Sequence, residues 1–439
     1  MALKNLTFKR GVHIPEYKEL SCDAAVFNAN TPKIVTIPLS MHIGAPAKCI
    51  VKKNDEVKVG QLIGEANGNF SANIYSSVSG VVKNIETVQT IGSKTSEAVV
   101  IETDGLNTIG YEPKDIDGSK LSPEEIVEKI KEAGIVGMGG AGFPTHIKYT
   151  PQKPVDTIIV NGAECEPYVT SDDALMKLKP ENIVKGLELE MKAVGAKRGI
   201  IAIEDNKKEA TEKIKNAVEN LKINGIEVYN LITKYPQGDE KRLIDACLNR
   251  EVPSGALPAD VGAIVSNAST TNAIFEACYL NKPLYERYIT VTGHAVKEPH
   301  NLLVPIGTHI IDLINQCGGL NTEVGKVISG GPMMGIAQQS FDTPVEKATN
   351  SILVMTEEES RVEKINPCIR CARCVSVCPV GLLPLYIHKF SLQKDFDKAS
   401  SFNIMDCIEC GSCSFVCPSN RPLVEAIRFG KREIKASGK

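Results

Sequence analysis

The sequence has no apolar run approaching the ~18 residues needed to cross a bilayer, and Met1 to Glu16 mixes Lys4, Lys9 and Arg10 with polar side chains. Neither a membrane anchor nor an export signal is predicted. The chain also lacks an excess of either charge, with 50 Lys and Arg against 53 Asp and Glu. No field that would gather nucleic acid follows from that balance, so nucleic-acid binding is not expected. A length of 439 residues, 42% hydrophobic and 23% charged, is ordinary globular composition and excludes a disordered or fibrous chain. At ~150 residues per domain there is room for roughly three domains.

Cysteine, by contrast, is plentiful. Eight of the 14 cysteines crowd into the last fifth of the chain, while Cys22, Cys49, Cys165, Cys247, Cys278 and Cys317 are scattered. A secreted disulfide framework would suit a short chain, so this distribution predicts a reducing cytoplasm and thiolate-bound metal. Cys368-x-x-Cys371-x-x-Cys374-x-x-x-Cys378-Pro379 and Cys407-x-x-Cys410-x-x-Cys413-x-x-x-Cys417-Pro418 both fit the run that binds four-iron four-sulfur clusters. In that pattern the fourth cysteine of each run serves the other cluster. Cys368, Cys371, Cys374 and Cys417 are therefore expected on one cluster, and Cys407, Cys410, Cys413 and Cys378 on the second. Structural zinc, the alternative, has no use for the trailing Cys-Pro. Pro384 to Ser401, between the runs, has helical texture, which predicts a helical ferredoxin domain. Residues 361–439 hold 13 basic and 7 acidic residues, net +6, leaving −9 for the rest. Either the basic residues offset the charge of the clusters, or the run Arg428-Phe429-Gly430-Lys431-Arg432 meets an acidic electron-transfer partner or a membrane surface.

From Lys33 to Asp104 the chain is rich in Val and Ile, with turn signals at Asn54-Asp55, Gly60, Gly64, Gly68 and Gly80, which predicts a small all-β domain. Val57 to Glu65 and Ser77 to Val82 resemble the halves of a biotinyl/lipoyl-type barrel-sandwich domain. Lysine is absent between Lys58 and Lys83, so the tip at Asn67-Gly68-Asn69 offers no lysine for a prosthetic group, and a structural or docking role is expected over a swinging-arm carrier. Ser122-Pro123-Glu124-Glu125 is a capping-box helix start with its stop at Gly134. Strand-like Thr157 to Val160, Gly199 to Ile203 and Val228 to Ile232 then alternate with helical Glu181 to Val194 and Lys207 to Leu221, the pattern of an α/β sheet. Tyr288 to Met355 reads as a small α+β module, and the polar run Pro344 to Ile365 as a linker. The expected divisions are 1–115, 116–284, 285–355 and 356–439.

Gly137-Met138-Gly139-Gly140-Ala141-Gly142 satisfies G-x-G-x-x-G. A dinucleotide fingerprint should follow a solid strand and open a helix, whereas Ile135-Val136 is short and Phe143-Pro144 interrupts the helix start. An acid follows at Glu164, so an ordinary NAD fold stays open, as does a plain flexible turn. Glycines here let backbone N–H groups approach a phosphate.

Extended to Phe143-Pro144-Thr145-x-x-Lys148, the loop closely resembles the GxGGAGFPTxxK loop of the FMN- and NADH-binding subunit of respiratory complex I. Asn161-Gly162-Ala163-Glu164-Cys165-Glu166-Pro167, Tyr235-x-x-Gly238-Asp239-Glu240 and Asn267-x-x-Thr270 resemble its further flavin-site motifs. Met138 stands where an arginine is usual and Ala163 where an aspartate is usual. With the opening Gly11-Val12-His13-x-Pro15-Glu16-Tyr17-Lys18, the lysine-free barrel-sandwich domain and the late cysteine pair, the chain resembles the C subunit of the Rnf complex end to end. The resemblance implies a Rossmann-like FMN/NADH-binding α/β domain and a β-grasp, SLBB-like module. It puts non-covalent FMN near Gly137, Gly139, Gly140, Gly142, Lys148, Asn161, Glu164, Gly238, Asp239, Asn267 and Thr270, and the dinucleotide near Phe143, Glu166 and Glu240, with Glu164, Glu166 and Lys148 as the catalytic groups. It further implies hydride exchange with NAD(H) and single electrons passed through two [4Fe-4S] clusters to membrane partners, one of them an iron–sulfur subunit. Ferredoxin would be served indirectly, Na+ or H+ translocated by the complex, and the chain held peripherally on the cytoplasmic face of the cell membrane. A cobalamin reductase shares the same core, although its glycine loop lies near the chain start. A non-catalytic electron wire or scaffold is the alternative from another class. His13, His42, His146 and His388 are expected to be structural.

Overall fold

The computed structural model describes residues 6–92 and 94–437. Alternating Val and Ile build the β region. Strands Ile34–Pro38, Glu56–Val57, Gly80–Gln89 and Thr95–Thr103 form one sheet, and Lys48–Cys49, Leu62–Glu65 and Ile74–Tyr75 form a second. Val35, Ile37, Ile63, Ile74, Val99 and Ile101 lie fully buried among them. Next, helix Pro123–Glu132 opens at the capping box of Ser122 and Glu125, as its sequence predicts.

The α/β domain holds four parallel strands in the order Ile226–Leu231, Arg198–Glu204, Thr157–Gly162, Ala263–Asn267. Ile158-Ile159-Val160 and Ile200-Ile201-Ala202-Ile203 are fully buried runs without alternation, because helices cover both faces of a parallel sheet. Those helices are Ser171–Leu178, Pro180–Val194, Lys208–Leu221, Glu240–Leu248 and Ala268–Leu280.

A mixed six-stranded sheet follows, ordered Val26–Asn28, His300–Pro305, Glu286–Thr292, Ser351–Thr356, Val324–Ser329, Ile336–Ala337, with helix Ile310–Gln316 packed in its core. One feature departs from expectation, and another is not marked in the sequence. Within the run read as a linker, Ser351–Thr356 is an interior strand, parallel to Glu286–Thr292 and antiparallel to Val324–Ser329. The apolar stretch Ile352-Leu353-Val354 is buried there, and its burial outweighs the polar composition on either side. Also, the N-terminal arm does not join the β region. Leu6 bridges Leu231, Val12 bridges Tyr235, and Val26–Asn28 pairs with His300–Pro305, so the arm edges two other sheets.

The C-terminal part is helical, with Pro384–Leu392 and Phe396–Ser401 between the cysteine runs and Leu423–Ala436 closing over them. Among the described residues no helix is long and apolar enough to cross a membrane.

Candidate functional site

After strand Thr157–Gly162 the chain adds two strands on one side and then returns to place Ala263–Asn267 on the other. Open α/β sheets take ligands at such a reversal, in the crevice beyond the carboxyl ends of the strands. Asn161, next to last in Thr157–Gly162, and Asn267, last in Ala263–Asn267, lie on the two strands that flank it. Asn267 caps helix Ala268–Leu280, its Oδ1 accepting from the N–H groups of Ser269 (3.0 Å) and Thr270 (3.3 Å), and its Nδ2 donates to Asp172 at 2.6 Å. Thr270 Oγ1 accepts from Met138 N at 2.9 Å and so pins the glycine loop to that helix end. A Cβ on Gly139 would sit 2.9 Å from Asn267 Cβ, whereas one on Gly140 would meet nothing within 4 Å. Gly139 and Gly140 are exposed, and Gly137 N donates to Phe143 O at 2.8 Å to close the loop.

Lys148 Nζ donates to Glu240 Oε1 (2.6 Å) and to Val265 O (2.7 Å) at the rim of the crevice. Asn161 Nδ2 donates to Gly238 O at 2.8 Å, and Gly238 N donates to Cys165 Sγ at 3.3 Å. The glycine loop, Lys148, Asn161, Gly238, Glu240, Asn267 and Thr270 are thus brought together.

Four of the named residues carry structural duties as well. Gly142, at φ +66°, offers its carbonyl to Ile43 N (3.0 Å) and fastens the β region to the loop. Asp239 caps helix Glu240–Leu248 through Arg242 N at 3.1 Å. The Glu164 carboxylate accepts from Asp172 N (2.7 Å) and Asp173 N (3.2 Å) at the start of helix Ser171–Leu178, and burial raises its pKa to about 7. Glu166 accepts from Met333 N (3.1 Å) and Met334 N (2.9 Å) of the six-stranded module, and burial likewise raises it to about 7.

Three side chains outside the flavin-site motifs also shape the site. Lys18, buried, donates to the carbonyls of Glu164, Glu166 and Val169 and shapes that turn. Arg287, fully buried, donates to Met138 O at 3.3 Å and to Lys347 O from beneath the glycine loop. A basic residue beside the apolar pair Tyr288-Ile289 is its one oddity in the sequence. Phe70 is the third: its ring meets Phe143 edge-on at 6.2 Å, while His146 Nε2 lies 3.1 Å from Asn69 O. The lysine-free tip therefore docks beside the loop.

The eight motif cysteines ring two spaces. Cys378, Cys407, Cys410 and Cys413 line one, and Cys368, Cys371, Cys374 and Cys417 the other. Each draws three thiols from one run and the fourth from the other. Three thiols at that spacing, joined by a fourth from the other run, suit a four-iron four-sulfur cluster. The first space abuts the α/β domain, where Tyr235 Oη donates to Cys410 O at 2.8 Å and lies 3.3 Å from Glu166 Oε1. Arg242 also donates to Pro379 O at 3.1 Å there. At the second, Cys368 and Cys371 are exposed.

Family models match four consecutive stretches: the RnfC barrel sandwich hybrid domain over residues 6–106, the Nuo51 FMN-binding domain over 130–276, the SLBB domain over 288–337 and the 4Fe-4S dicluster domain over 361–418. The C subunit of the Na(+)-translocating ferredoxin:NAD(+) oxidoreductase complex of Acetobacterium woodii is 48% identical over 99% of this chain and 98% of its own. The chain belongs to the family of Rnf-complex C subunits. The proton-translocating counterpart of Clostridium ljungdahlii is 45% identical over 98% of this chain and 95% of its own. As a member, the chain is an electron-transfer subunit of a multi-subunit oxidoreductase, with an FMN-binding domain and a dicluster domain. Full-length similarity, β region included, sets aside the cobalamin reductase reading. Among solved structures, an NAD+-reducing [NiFe]-hydrogenase aligns with TM-score 0.52 and 18% identity over 73% of this chain and 62% of that one, a likeness of fold alone.

Proposed function

We propose that the switch-point crevice exchanges hydride between NAD(H) and non-covalent FMN, and that electrons then pass singly through the cysteine site beside Tyr235 and on through the exposed one to other subunits. FMN, when bound, supplies the conversion between a two-electron hydride and one-electron clusters. The exposed Gly139–Gly140 backbone offers N–H groups to a phosphate, and Lys148 adds a cation. Asn161, Gly238 and Asp239 line the isoalloxazine side, while Phe143, Glu166 and Glu240 face the dinucleotide. Cys378, Cys407, Cys410 and Cys413 hold the inner cluster, and Cys368, Cys371, Cys374 and Cys417 the outer. On this reading the chain works at the cytoplasmic membrane face, in a complex that couples ferredoxin:NAD oxidoreduction to Na+ or H+ translocation.

The observation that carries this reading is the contact of Tyr235 with both Glu166 and Cys410 O, which puts the crevice and the inner thiols side by side. Anaerobic purification with flavin and iron assays, followed by titration with NADH and NADPH, tests it. Glu166→Gln and Phe143→Ala should raise the NADH requirement more than they lower FMN content. Loss of FMN with unchanged NADH affinity in the remaining holoprotein, or cluster reduction by NADH in flavin-free protein, would overturn it.

A further inference from the structure

We propose that residues 361–373 form the docking face for another subunit of the complex, one that presents an acidic rim around an apolar centre and carries a one-electron redox group. The proposal rests on the electron path given above. Every residue from Arg361 to Arg373 is exposed, including the thiol-bearing Cys368 and Cys371. Val362, Ile365 and Ile369 are 83%, 51% and 69% exposed, an apolar row along the segment that reaches the outer site at Ile369. Backbone contacts fix the segment: Asn366 N donates to Ser419 O at 3.0 Å, Ser419 Oγ to Pro367 O at 3.0 Å, and Arg421 to Asn366 O at 3.2 Å. The side chains are thereby presented on a held frame, which lowers the ordering cost of association.

Charge decides which partner suits it. Arg361, Lys364, Arg370 and Arg373 make no ion pair among the described residues, and Glu363 is the segment's one acid. The C-terminal helix is different. Arg428 (3.1 Å) and Lys431 (2.6 Å) both bind Glu409, and Lys431 also binds Cys407 O at 2.8 Å, so these cations serve the inner site and are not free for a partner. A second copy of this chain would bring the same cations face to face, which excludes self-association here. An exposed apolar row suits a lasting subunit interface better than a brief encounter. One electron crosses the face at a time, oxidising the donor side and reducing the acceptor side by one, with no bond or proton transferred.

The test uses the intact membrane complex carrying Arg361→Glu with Lys364→Glu, and separately Val362→Glu with Ile365→Glu, all four outside the residues that line the outer thiol site. Arg432→Glu with Lys435→Glu is the control. Co-purification of the chain with the complex across ionic strength, hydrogen exchange of residues 361–373, iron content and NADH bleaching of the flavin are measured together. Both test variants should release the chain at about tenfold lower salt with iron and flavin bleaching kept, and 361–373 should be protected in the wild-type complex against the free chain. An unprotected segment, wild-type retention of both variants, or equal loss in the control overturns the proposal. Wild-type chain whose flavin NADH does not bleach would instead overturn the proposed electron path.

Discussion

Glu190 sits fully buried in helix Pro180–Val194, its Oε1 taking the hydroxyls of Ser266 (2.8 Å) and Thr271 (2.9 Å), while Oε2 has no partner among the described residues. Burial raises its pKa from the ordinary 4.5 to about 7, with the hydroxyls pulling the other way. Between those two values the folded chain keeps a proton that the unfolded chain has released, so this group's contribution is complete below pH 4.5 and is lost as pH rises through 7. Glu164 and Glu166 share the window, so the difference between wild type and Glu190→Gln isolates this group. The variant should lose about 3 kcal/mol of the decline in stability across it, read from denaturant unfolding at several pH values. At Gly139 steric demand governs instead. An alanine there meets Asn267 at 2.9 Å, so Gly139→Ala should push the loop off its helix and weaken FMN binding at least about tenfold. Flavin content after dialysis checks it.

Short elements hold the loop in place. Helix Pro123–Glu132 leads into it and depends on a reciprocal cap, so Ser122→Ala should cost about 1 kcal/mol in thermal unfolding. Where the β region is fastened, Gly142 lies at φ +66° and a Cβ would come 3.2 Å from Met41 O. Gly142→Ala should therefore cost about 1 kcal/mol and loosen the hairpin tip from Phe143 and His146. Faster proteolysis near residues 66–73 with the parallel sheet intact would register that loosening.

Across the whole molecule, two chain segments far apart in sequence share each cysteine site. Cys378→Ser should therefore damage the cluster shared with Cys407, Cys410 and Cys413, although it lies in the first run. Low-temperature paramagnetic resonance should show the exposed site's signal kept and the inner one altered. Cys371→Ser with Cys410→Ser should spare NADH bleaching of the flavin and block delivery to partner subunits. Wild-type delivery by that double variant would refute the path.

Local chemistry written along the chain was legible before the fold was known: the cysteine spacing, the glycine loop, the capping box and the parallel strands all depend on neighbours a few residues apart. Polar flanks hid strand Ser351–Thr356, because composition averages over a window while a sheet responds to three consecutive buried side chains. Nothing local marked the N-terminal arm either, since strands as short as Val26–Asn28 gain their pairing energy from edges supplied hundreds of residues later. Which residues are proposed to meet the cofactors was read from local motifs in the order of amino acids. That Lys18 shapes the turn at Glu164, that Arg287 supports the glycine loop, and that Tyr235 joins the crevice to the inner thiols emerged with the folded chain. These are long-range contacts of buried polar groups, whose cost is met only when distant carbonyls converge on them.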